Sequence, residues 1–188
     1  DKMRKQAEHF GAQFIFQDAT GVDFSSKPFK VIVGSQVFEA KSVIIATGAS
    51  AKWLGLESEA KFRGKGVSSC ATCDAPFFGD KKVVVVGGGD TAADDALTLA
   101  KFAKEVTLIH RRNELRATRI LQERVFDNEK ISFVWDSVVE DILGKDKVKG
   151  VRIRDVKTGA ESEIETDGVF IAIGHKPNTD IFKGQIEL

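Results

Sequence analysis

Two cysteines, Cys70 and Cys73, stand three residues apart and are the only cysteines in the sequence. Two thiols this close can form a small disulfide ring and so accept or deliver two electrons. A C-x-x-C turn can also lower the pKa of a thiol, and the thiolate is the nucleophile in disulfide exchange. Asp74 follows directly, and a carboxyl group beside a thiol pair can hold a proton and return it to a leaving thiolate. The spacing alone leaves two interpretations open: a redox-active pair or two incidental thiols.

Other uses of the cysteine pair fit the sequence less well. A secreted disulfide scaffold would have more cysteines, spread along the chain. A tetrahedral zinc site needs four ligands, and the three histidines lie far from the pair in sequence, at positions His9, His110 and His175. We therefore predict no metal site.

A glycine-rich turn follows the pair and matches the pattern G-x-G-x-x-A with the residues Gly87, Gly88, Gly89, Asp90, Thr91 and Ala92. In a dinucleotide-binding turn the first glycine permits the tight bend, the second lets a pyrophosphate approach the backbone, and the last small residue lets helix and strand pack closely. The free N–H groups at the start of the helix hold the phosphates. We predict that these six residues bind a dinucleotide; the alternative is a plain glycine-rich turn.

An arginine cluster follows the next predicted strand, with the residues His110, Arg111, Arg112 and Arg116. An NAD site usually has a carboxylate about 20 residues after the turn, where it binds the ribose 2′-hydroxyl. Guanidinium groups here match a 2′-phosphate instead, because arginine can bind phosphate with two parallel hydrogen bonds. We predict NADPH in preference to NADH, with His110 either stacked on the adenine or capping the strand. The alternative is a solvated charged face.

The elements around these motifs predict a βαβ unit. Lys82–Val86 is a continuous β-branched run, typical of a strand buried on both faces. Asp90–Ala103 has small and apolar residues at helical spacing, and Val106–Ile109 is a second strand. A further helix, a further strand and an antiparallel meander are predicted at Thr118–Phe126, Ile131–Trp135, Val138–Leu143, Val148–Asp155 and Glu161–Glu165.

The beginning of the chain has a different pattern. It predicts a helix over Lys2–Phe10 and a small meander with strands at Gln13–Phe16, Phe29–Val33 and Val37–Ala40. Ser42–Gly48 indicates a buried strand that ends at a glycine, and Asp167–Gly174 repeats this pattern. We interpret the two repeats as crossings between a first domain and an inserted second domain; the alternative is a chance similarity between two buried strands.

The composition restricts the partners. Lys plus Arg number 28 and Asp plus Glu number 28, so the net charge is zero, whereas nucleic acids and anionic membranes attract a basic excess. No apolar run approaches the roughly 18 residues of a membrane span, and no segment has the shape of a signal peptide. We expect a cytoplasmic protein with neither nucleic acid nor membrane as a partner.

Together these residues resemble the low-molecular-weight thioredoxin reductases of bacteria and archaea over essentially the whole chain. The resemblance rests on the segment Cys70-Ala71-Thr72-Cys73-Asp74, the glycine turn, the arginine cluster, and the crossings at Ala46-Thr47-Gly48-Ala49 and Ala172–Thr179. It implies an α/β fold in which a Rossmann-like NADPH-binding domain, a parallel sheet plus a β-meander, is inserted into a partial FAD-binding domain. The protein would thus be a flavoprotein with two dinucleotide-binding domains.

The resemblance also implies a reaction. In such enzymes NADPH reduces FAD, FAD reduces the disulfide, and the dithiol reduces thioredoxin. Cys73 would lie nearer the flavin, Cys70 would attack thioredoxin, and Asp74 would be the acid/base. The family further implies a homodimer and a domain rotation that presents the disulfide or the nicotinamide to the flavin. A flavin is also what the chemistry leads us to expect, because direct transfer from nicotinamide to disulfide is awkward.

The resemblance divides the chain into residues 1–52, part of the FAD-binding domain, 53–173, the NADPH-binding domain with the disulfide, and 174–188, the return into the FAD-binding domain. The family's flavin-binding glycine motif and its carboxy-terminal flavin segment are not in this sequence. We therefore expect the parent protein to bind FAD, and this chain to bind it weakly or not at all.

One local departure from the family pattern concerns the redox motif. Ala75 and Pro76 follow Asp74, where the family usually has glycine, so the turn after the motif is expected to differ. Two further functions stay open at this point. The chain could be an NADPH-binding module that is inactive alone, or part of a related flavoprotein dithiol oxidoreductase that serves another partner.

Overall fold

The computed structural model describes residues 1–187, and the chain divides into two compact units. The first, here called the terminal unit, consists of residues 1–49 together with the residues from 177 onward. The second, here called the central unit, is Ser50–Lys176. Within residues 1–187, no helix has the length and apolar character that crossing a membrane requires.

The terminal unit contains a helix and an antiparallel sheet. Helix α1 (Lys2–His9) begins where the carboxylate of Asp1 accepts the N–H of Met3 at 3.1 Å, a capping contact that satisfies one of the free donors at the start of a helix. The sheet has the order β1-β2-β3, and its strands are β1 (Gly21–Asp23), β2 (Phe29–Val33) and β3 (Gln36–Ala40). A short 3₁₀ helix, Asp180–Phe182, belongs to the same unit.

Two predicted strands of the terminal unit are wrong. Gln13–Phe16 and Ser42–Gly48 have no regular secondary structure, and the Ile44 side chain is 93% exposed. An apolar run becomes a strand only when its backbone N–H and C=O groups pair with a neighbouring strand. Among residues 1–187 neither segment pairs with a strand. The guanidinium of Arg4 lies over the Phe16 ring, and the carbonyls of Thr47 and Gly48 accept hydrogen bonds from Asn178.

The central unit has three layers and contains the remaining elements, apart from two of their end residues, Ala49 and Pro177, which belong to the terminal unit. In chain order the elements are β4 (Ala49–Ala51), α2 (Glu57–Phe62), β5 (Val67–Ser68), α3 (Ala71–Asp74), β6 (Lys82–Val86), α4 (Asp90–Ala100), β7 (Glu105–Ile109), α5 (Arg119–Phe126), β8 (Ile131–Val134), β9 (Ser137–Gly144), β10 (Val148–Asp155), β11 (Glu161–Glu165), β12 (Gly168–Ile171) and β13 (His175–Pro177). A short 3₁₀ helix, Ala75–Phe78, follows α3.

A parallel sheet with the order β5-β12-β6-β7-β8 forms the middle layer. The two faces of β6 belong to different cores. Val83 and Val85 pack among the buried residues of α4, whereas Val84 and Val86 pack with those of β9 and β10. Both faces of the sheet are therefore covered, which explains why β6 is a continuous run of valine without polar alternation.

The strands β9, β10 and β11 form the antiparallel meander that covers one face of the parallel sheet, and the helices α3, α4 and α5 cover the other. The short strands β4 and β13 pair with each other where the chain enters and leaves the central unit. The α/β class and the parallel sheet with its meander are confirmed.

Candidate nucleotide and disulfide site

A cavity of about 560 Å³ lies at the carboxyl ends of the parallel strands of the central unit. Its wall consists of the glycine turn after β6, the ends of β7 and β12, the arginine cluster, the start of β9, and Leu54. Open parallel sheets bind ligands in the crevice outside the carboxyl ends of their strands. The position of the cavity is therefore that of a dinucleotide site.

The glycine turn is shaped by positions where a side chain cannot fit. Gly87 has a φ of +153°, and a Cβ there would collide with the carbonyl oxygen of Ala172. At Gly88 a Cβ would collide with the imidazole ring of His110. At Gly89 a Cβ would meet nothing within 4 Å, so the backbone there is open, and Gly89 also lines the cavity.

Helix α4 begins directly after Gly89, and no side chain caps its first turn. The first N–H groups of a helix have no partner within the helix, and the helix dipole adds positive potential there. Gly89 and Thr91 line the cavity, so these donors lie at its wall. The arrangement suits the phosphate groups of a nucleotide.

Two residues of the predicted turn lie behind the cavity wall. The carboxylate of Asp90 accepts the backbone N–H of Thr118 at 2.6 Å and so holds the loop that follows the arginine cluster. Ala92 is completely buried, and its small side chain permits the close packing at Gly87. Direct contact of Asp90 or Ala92 with a nucleotide stays a prediction.

The arginine cluster lies at the cavity as the sequence motif suggested. Arg111, Arg112 and Arg116 line the wall and are exposed, and none of the three forms an ion pair with another residue between 1 and 187. The backbone N–H of Arg116 donates to the carbonyl oxygen of Gly88 at 2.6 Å, which brings the loop back to the glycine turn. Uncompensated positive charge therefore faces the cavity beside the turn.

His110 lies between the turn and the cluster and is 7% exposed. Burial lowers the pKa of its imidazole, and the charges of Arg112, Arg111 and Arg116 lower it further, against an opposing effect of Asp136. The ring is therefore neutral at neutral pH. Its Nε2 atom is buried and has no hydrogen-bond partner within residues 1–187, so a ligand in the cavity could supply one.

Cys70 and Cys73 form a disulfide, with their Cα atoms 5.3 Å apart. Cys70 is half-buried at the start of α3, where its backbone N–H donates to the hydroxyl of Ser68 at 3.0 Å, and Cys73 is exposed. Ala71 is the buried residue of α3, and it packs in the same core as the buried alanines of α4. The helix that begins at the glycine turn thus also holds the disulfide segment.

The residues after the disulfide accommodate the departure from the family pattern. Ala75 has φ −51° and ψ −39°, which is ordinary helical backbone and needs no glycine. Pro76 lies in the first turn of the 3₁₀ helix Ala75–Phe78, where the missing N–H of proline leaves no hydrogen bond unmade. Asp74 is half-buried, and its backbone N–H donates to the carbonyl of Cys70 at 3.2 Å.

Sequence reasoning missed Asp95 on α4. One of its carboxylate oxygens is buried and has no hydrogen-bond partner in the part of the chain that the structure describes. Burial first, and then the charge of Asp94, raise the pKa of Asp95 to about 6, against an opposing effect of His175. The sequence did contain one signal for Asp95. It lies four residues after Thr91, and this spacing places the two side chains on the same side of α4.

Comparison with known proteins adds the family. A family model described as pyridine nucleotide-disulphide oxidoreductase matches residues 3–188. Thioredoxin reductase from Rickettsia conorii is 50% identical over 190 residues, covering 99% of this chain and 61% of the relative. The enzyme of that name from Streptomyces coelicolor is 50% identical over 189 residues, covering 100% of this chain and 59% of the relative.

Solved structures give the same result. Thioredoxin reductase from Lactococcus lactis, in its FR conformation, has a TM-score of 0.83 at 39% identity, covering 97% of this chain and 60% of that one. Thioredoxin reductase from Giardia duodenalis has a TM-score of 0.85 at 38% identity, covering 99% and 62%. The chain thus spans about 60% of the length of the relatives it matches.

The raised pKa of Asp95 predicts a pH-dependent effect of its replacement. Between its ordinary value of 3.8 and about 6, the folded chain holds a proton at Asp95 that the unfolded chain has lost, so the contribution of Asp95 to stability falls as pH rises through this window. Asp95→Asn has no charge to bury. Its free energy of unfolding relative to the unsubstituted chain should therefore rise by about 1 kcal/mol between pH 5 and pH 8.

Urea denaturation of both chains at the two pH values measures this difference. Glu129→Gln is the control, because Glu129 is exposed and its charge does not act on Asp95, and it should show a much smaller change. An Asp95→Asn effect that is the same at pH 5 and pH 8 would contradict the assigned proton.

Proposed function

The chain belongs to the pyridine nucleotide-disulphide oxidoreductase family, and from this we propose that it is the NADPH-binding and disulfide-bearing part of a thioredoxin reductase. The observation that carries the proposal is the arrangement around α4. Its first turn opens on a cavity with unpaired arginines, and its buried face packs with the disulfide segment. The curated relatives of this name support the same activity.

In the proposed binding mode each part of the cavity holds one part of NADPH. The open backbone at Gly89 and the first N–H groups of α4 would bind the pyrophosphate. Arg111, Arg112 and Arg116 would bind the 2′-phosphate, which a charge-assisted hydrogen bond to guanidinium favours strongly. The lone Nε2 of His110 would gain a partner from the adenosine moiety. NADPH supplies a hydride, which carries two electrons.

The disulfide completes the proposed reaction. Two electrons and two protons convert the Cys70–Cys73 disulfide into two thiols. The thiolate of Cys70 then attacks a disulfide of thioredoxin and forms a mixed disulfide, and the thiolate of Cys73 attacks that bond and releases the partner as a dithiol. Asp74 would hold the proton that moves to or from the departing thiolate. The two cysteines return to the disulfide state.

The one glycine turn of the dinucleotide type among residues 1–187 is that of the central unit. The segment Ser42–Gly48 of the terminal unit pairs with no strand among these residues. We therefore propose that the flavin of the parent protein is bound mainly by the part of the relatives that this chain does not match, and that the chain alone does not reduce thioredoxin. The central unit would be the NADPH-binding domain and the terminal unit a part of the FAD-binding domain. The family resemblance alone supports a cytoplasmic homodimer.

The arginine cluster makes a direct prediction about nucleotide choice. The chain should bind NADPH much more tightly than NADH, and Arg111→Ala/Arg112→Ala should raise the Kd for NADPH by about 100-fold or more, because hydrogen bonds to charged groups contribute about 1.5 kcal/mol or more each and two of them are removed. The Kd for NADH should hardly change. Isothermal titration calorimetry measures the Kd for NADPH and the Kd for NADH.

Arg119→Ala is the matched control, because Arg119 is exposed, pairs with Glu123 and lies outside the cavity wall. It should leave the preference for NADPH intact. Equal affinities of the unsubstituted chain for NADPH and NADH would contradict the assignment of the 2′-phosphate.

The proposed activity itself is tested on the full-length parent, with FAD, NADPH and thioredoxin. Cys73→Ser should lose thioredoxin reduction by at least about 1,000-fold, because a single thiol cannot close the disulfide or resolve the mixed disulfide. Its affinity for NADPH should remain that of the unsubstituted enzyme. Undiminished thioredoxin reduction by Cys73→Ser would rule out the dithiol mechanism.

A further inference from the structure

Glu59 is a buried charged residue that the proposed reaction does not use. It lies on α2 and is 1% exposed. One of its carboxylate oxygens accepts the backbone N–H of Leu54 at 2.8 Å, and the other accepts that of Gly55 at 3.0 Å. A buried carboxylate is costly unless hydrogen bonds and an opposite charge compensate it. Both oxygens of Glu59 are engaged by the segment through which the chain enters the central unit.

Arg63 extends the contact to a third residue of the same segment. Its guanidinium lies 3.8 Å from the carboxylate of Glu59 and 3.8 Å from the centre of the Trp53 ring. A guanidinium over an aromatic face is attracted by the ring, most strongly by tryptophan. Through one carboxylate, Trp53, Leu54 and Gly55 are therefore held in a fixed relation to α2.

The other side of α2 is fixed to the meander. The hydroxyl of Ser58 accepts the backbone N–H of Ile142, on β9, at 3.0 Å. The beginning of β9 lines the nucleotide cavity. Helix α2 is thus anchored to β9, whose beginning belongs to the cavity wall. Glu59 connects this helix with the segment that contributes Leu54 to the same wall.

Leu54 is the residue of this segment that reaches the cavity. It lines the wall and packs against the buried core to which Val86, Ile109 and Val139 belong, all three of which are wall residues too. Close by, Lys52 donates its backbone N–H to the carbonyl of Gly174, another wall residue, at 2.9 Å. A displacement of the segment would therefore change the shape of the cavity.

We propose that Glu59 is a positioning residue of the nucleotide cavity, which holds Trp53–Gly55 in place and thereby sets the position of Leu54 in the wall. The inference rests on the proposed binding of NADPH in this cavity and adds a residue outside the predicted motifs. Glu59 touches no nucleotide and takes no part in the chemistry. It affects the affinity for NADPH only through the hydrogen bonds that it accepts from the backbone N–H groups of Leu54 and Gly55.

The test uses the full-length enzyme and the variant Glu59→Gln. Glutamine keeps the shape of the side chain, but its amide nitrogen cannot accept the second N–H, and its charge no longer holds Arg63. The KM and Kd for NADPH should rise by about 10-fold, the lower end of the effect known for residues that orient metal ligands through hydrogen bonds, whereas kcat at saturating NADPH should change by less than about twofold. Glu57→Gln, in the first turn of the same helix and exposed, should leave both constants unchanged.

A double-mutant cycle with Leu54→Ala shows whether Glu59 acts through the cavity wall. If it does, Glu59→Gln should raise the Kd for NADPH much less in the Leu54→Ala background than in the unsubstituted enzyme, because coupled residues are not additive. Equal effects in the two backgrounds, or an unchanged Kd in folded Glu59→Gln, would overturn the proposal. Failure of the unsubstituted enzyme to bind NADPH would instead refute the proposed function.

Arg63→Met keeps the proposal testable if Glu59→Gln does not fold. The Arg63 side chain is 44% exposed, so its replacement leaves the core intact while removing the contact with Trp53. The Kd for NADPH should rise by a smaller factor, about threefold, and the tryptophan emission should change. A folded Arg63→Met variant with an unchanged Kd and unchanged emission would contradict the role assigned to the Glu59 contacts.

Discussion

The absence of side chains in the turn after β6 is the constraint on which the remaining site depends. At Gly87 the turn lies against the carbonyl of Ala172 after β12, and at Gly88 it lies against the ring of His110 after β7. Three strand ends therefore meet without a side chain between them. Because Gly89 has open space beside it, the start of α4 is accessible, and the free donors of its first turn can face a ligand instead of a packed side chain.

The two faces of the parallel sheet serve different parts of the proposed reaction. On the helical face, the buried alanines of α4 pack with Ala71, the first residue of α3, and with Ala75, which follows α3. On the other face, the beginning of β9 and Leu54 contribute to the wall of the cavity, and Glu59 holds Leu54 from behind the wall by accepting its backbone N–H. Helix α4 joins these functions, because it begins at the nucleotide cavity and continues beneath the disulfide segment. Small side chains on its buried face make this close packing possible.

The βαβ core was predictable because its signals are local. A valine run, three glycines and a helical spacing of alanines lie next to one another in the sequence, and the structure forms β6, the turn and α4 from them. The segment Ser42–Gly48 was wrongly predicted to be a strand, because a strand needs a neighbouring strand that the local sequence cannot reveal. Glu59 and Asp95 escaped prediction because a charged residue on a helix is ordinarily exposed, whereas the structure buries Glu59 and one carboxylate oxygen of Asp95. His110 was identified as a site residue, but only the structure shows its ring against Gly88.

The central claim is that the glycine turn and the arginine cluster bind one NADPH molecule between them. A crystal structure of the full-length enzyme with NADP⁺ measures this most directly. The pyrophosphate oxygens should accept hydrogen bonds from the backbone N–H groups at Gly89–Thr91, and the 2′-phosphate should lie within hydrogen-bond distance of at least two of the guanidinium groups of Arg111, Arg112 and Arg116. A nucleotide bound outside this cavity, or bound with its 2′-phosphate away from the three arginines, would contradict the claim.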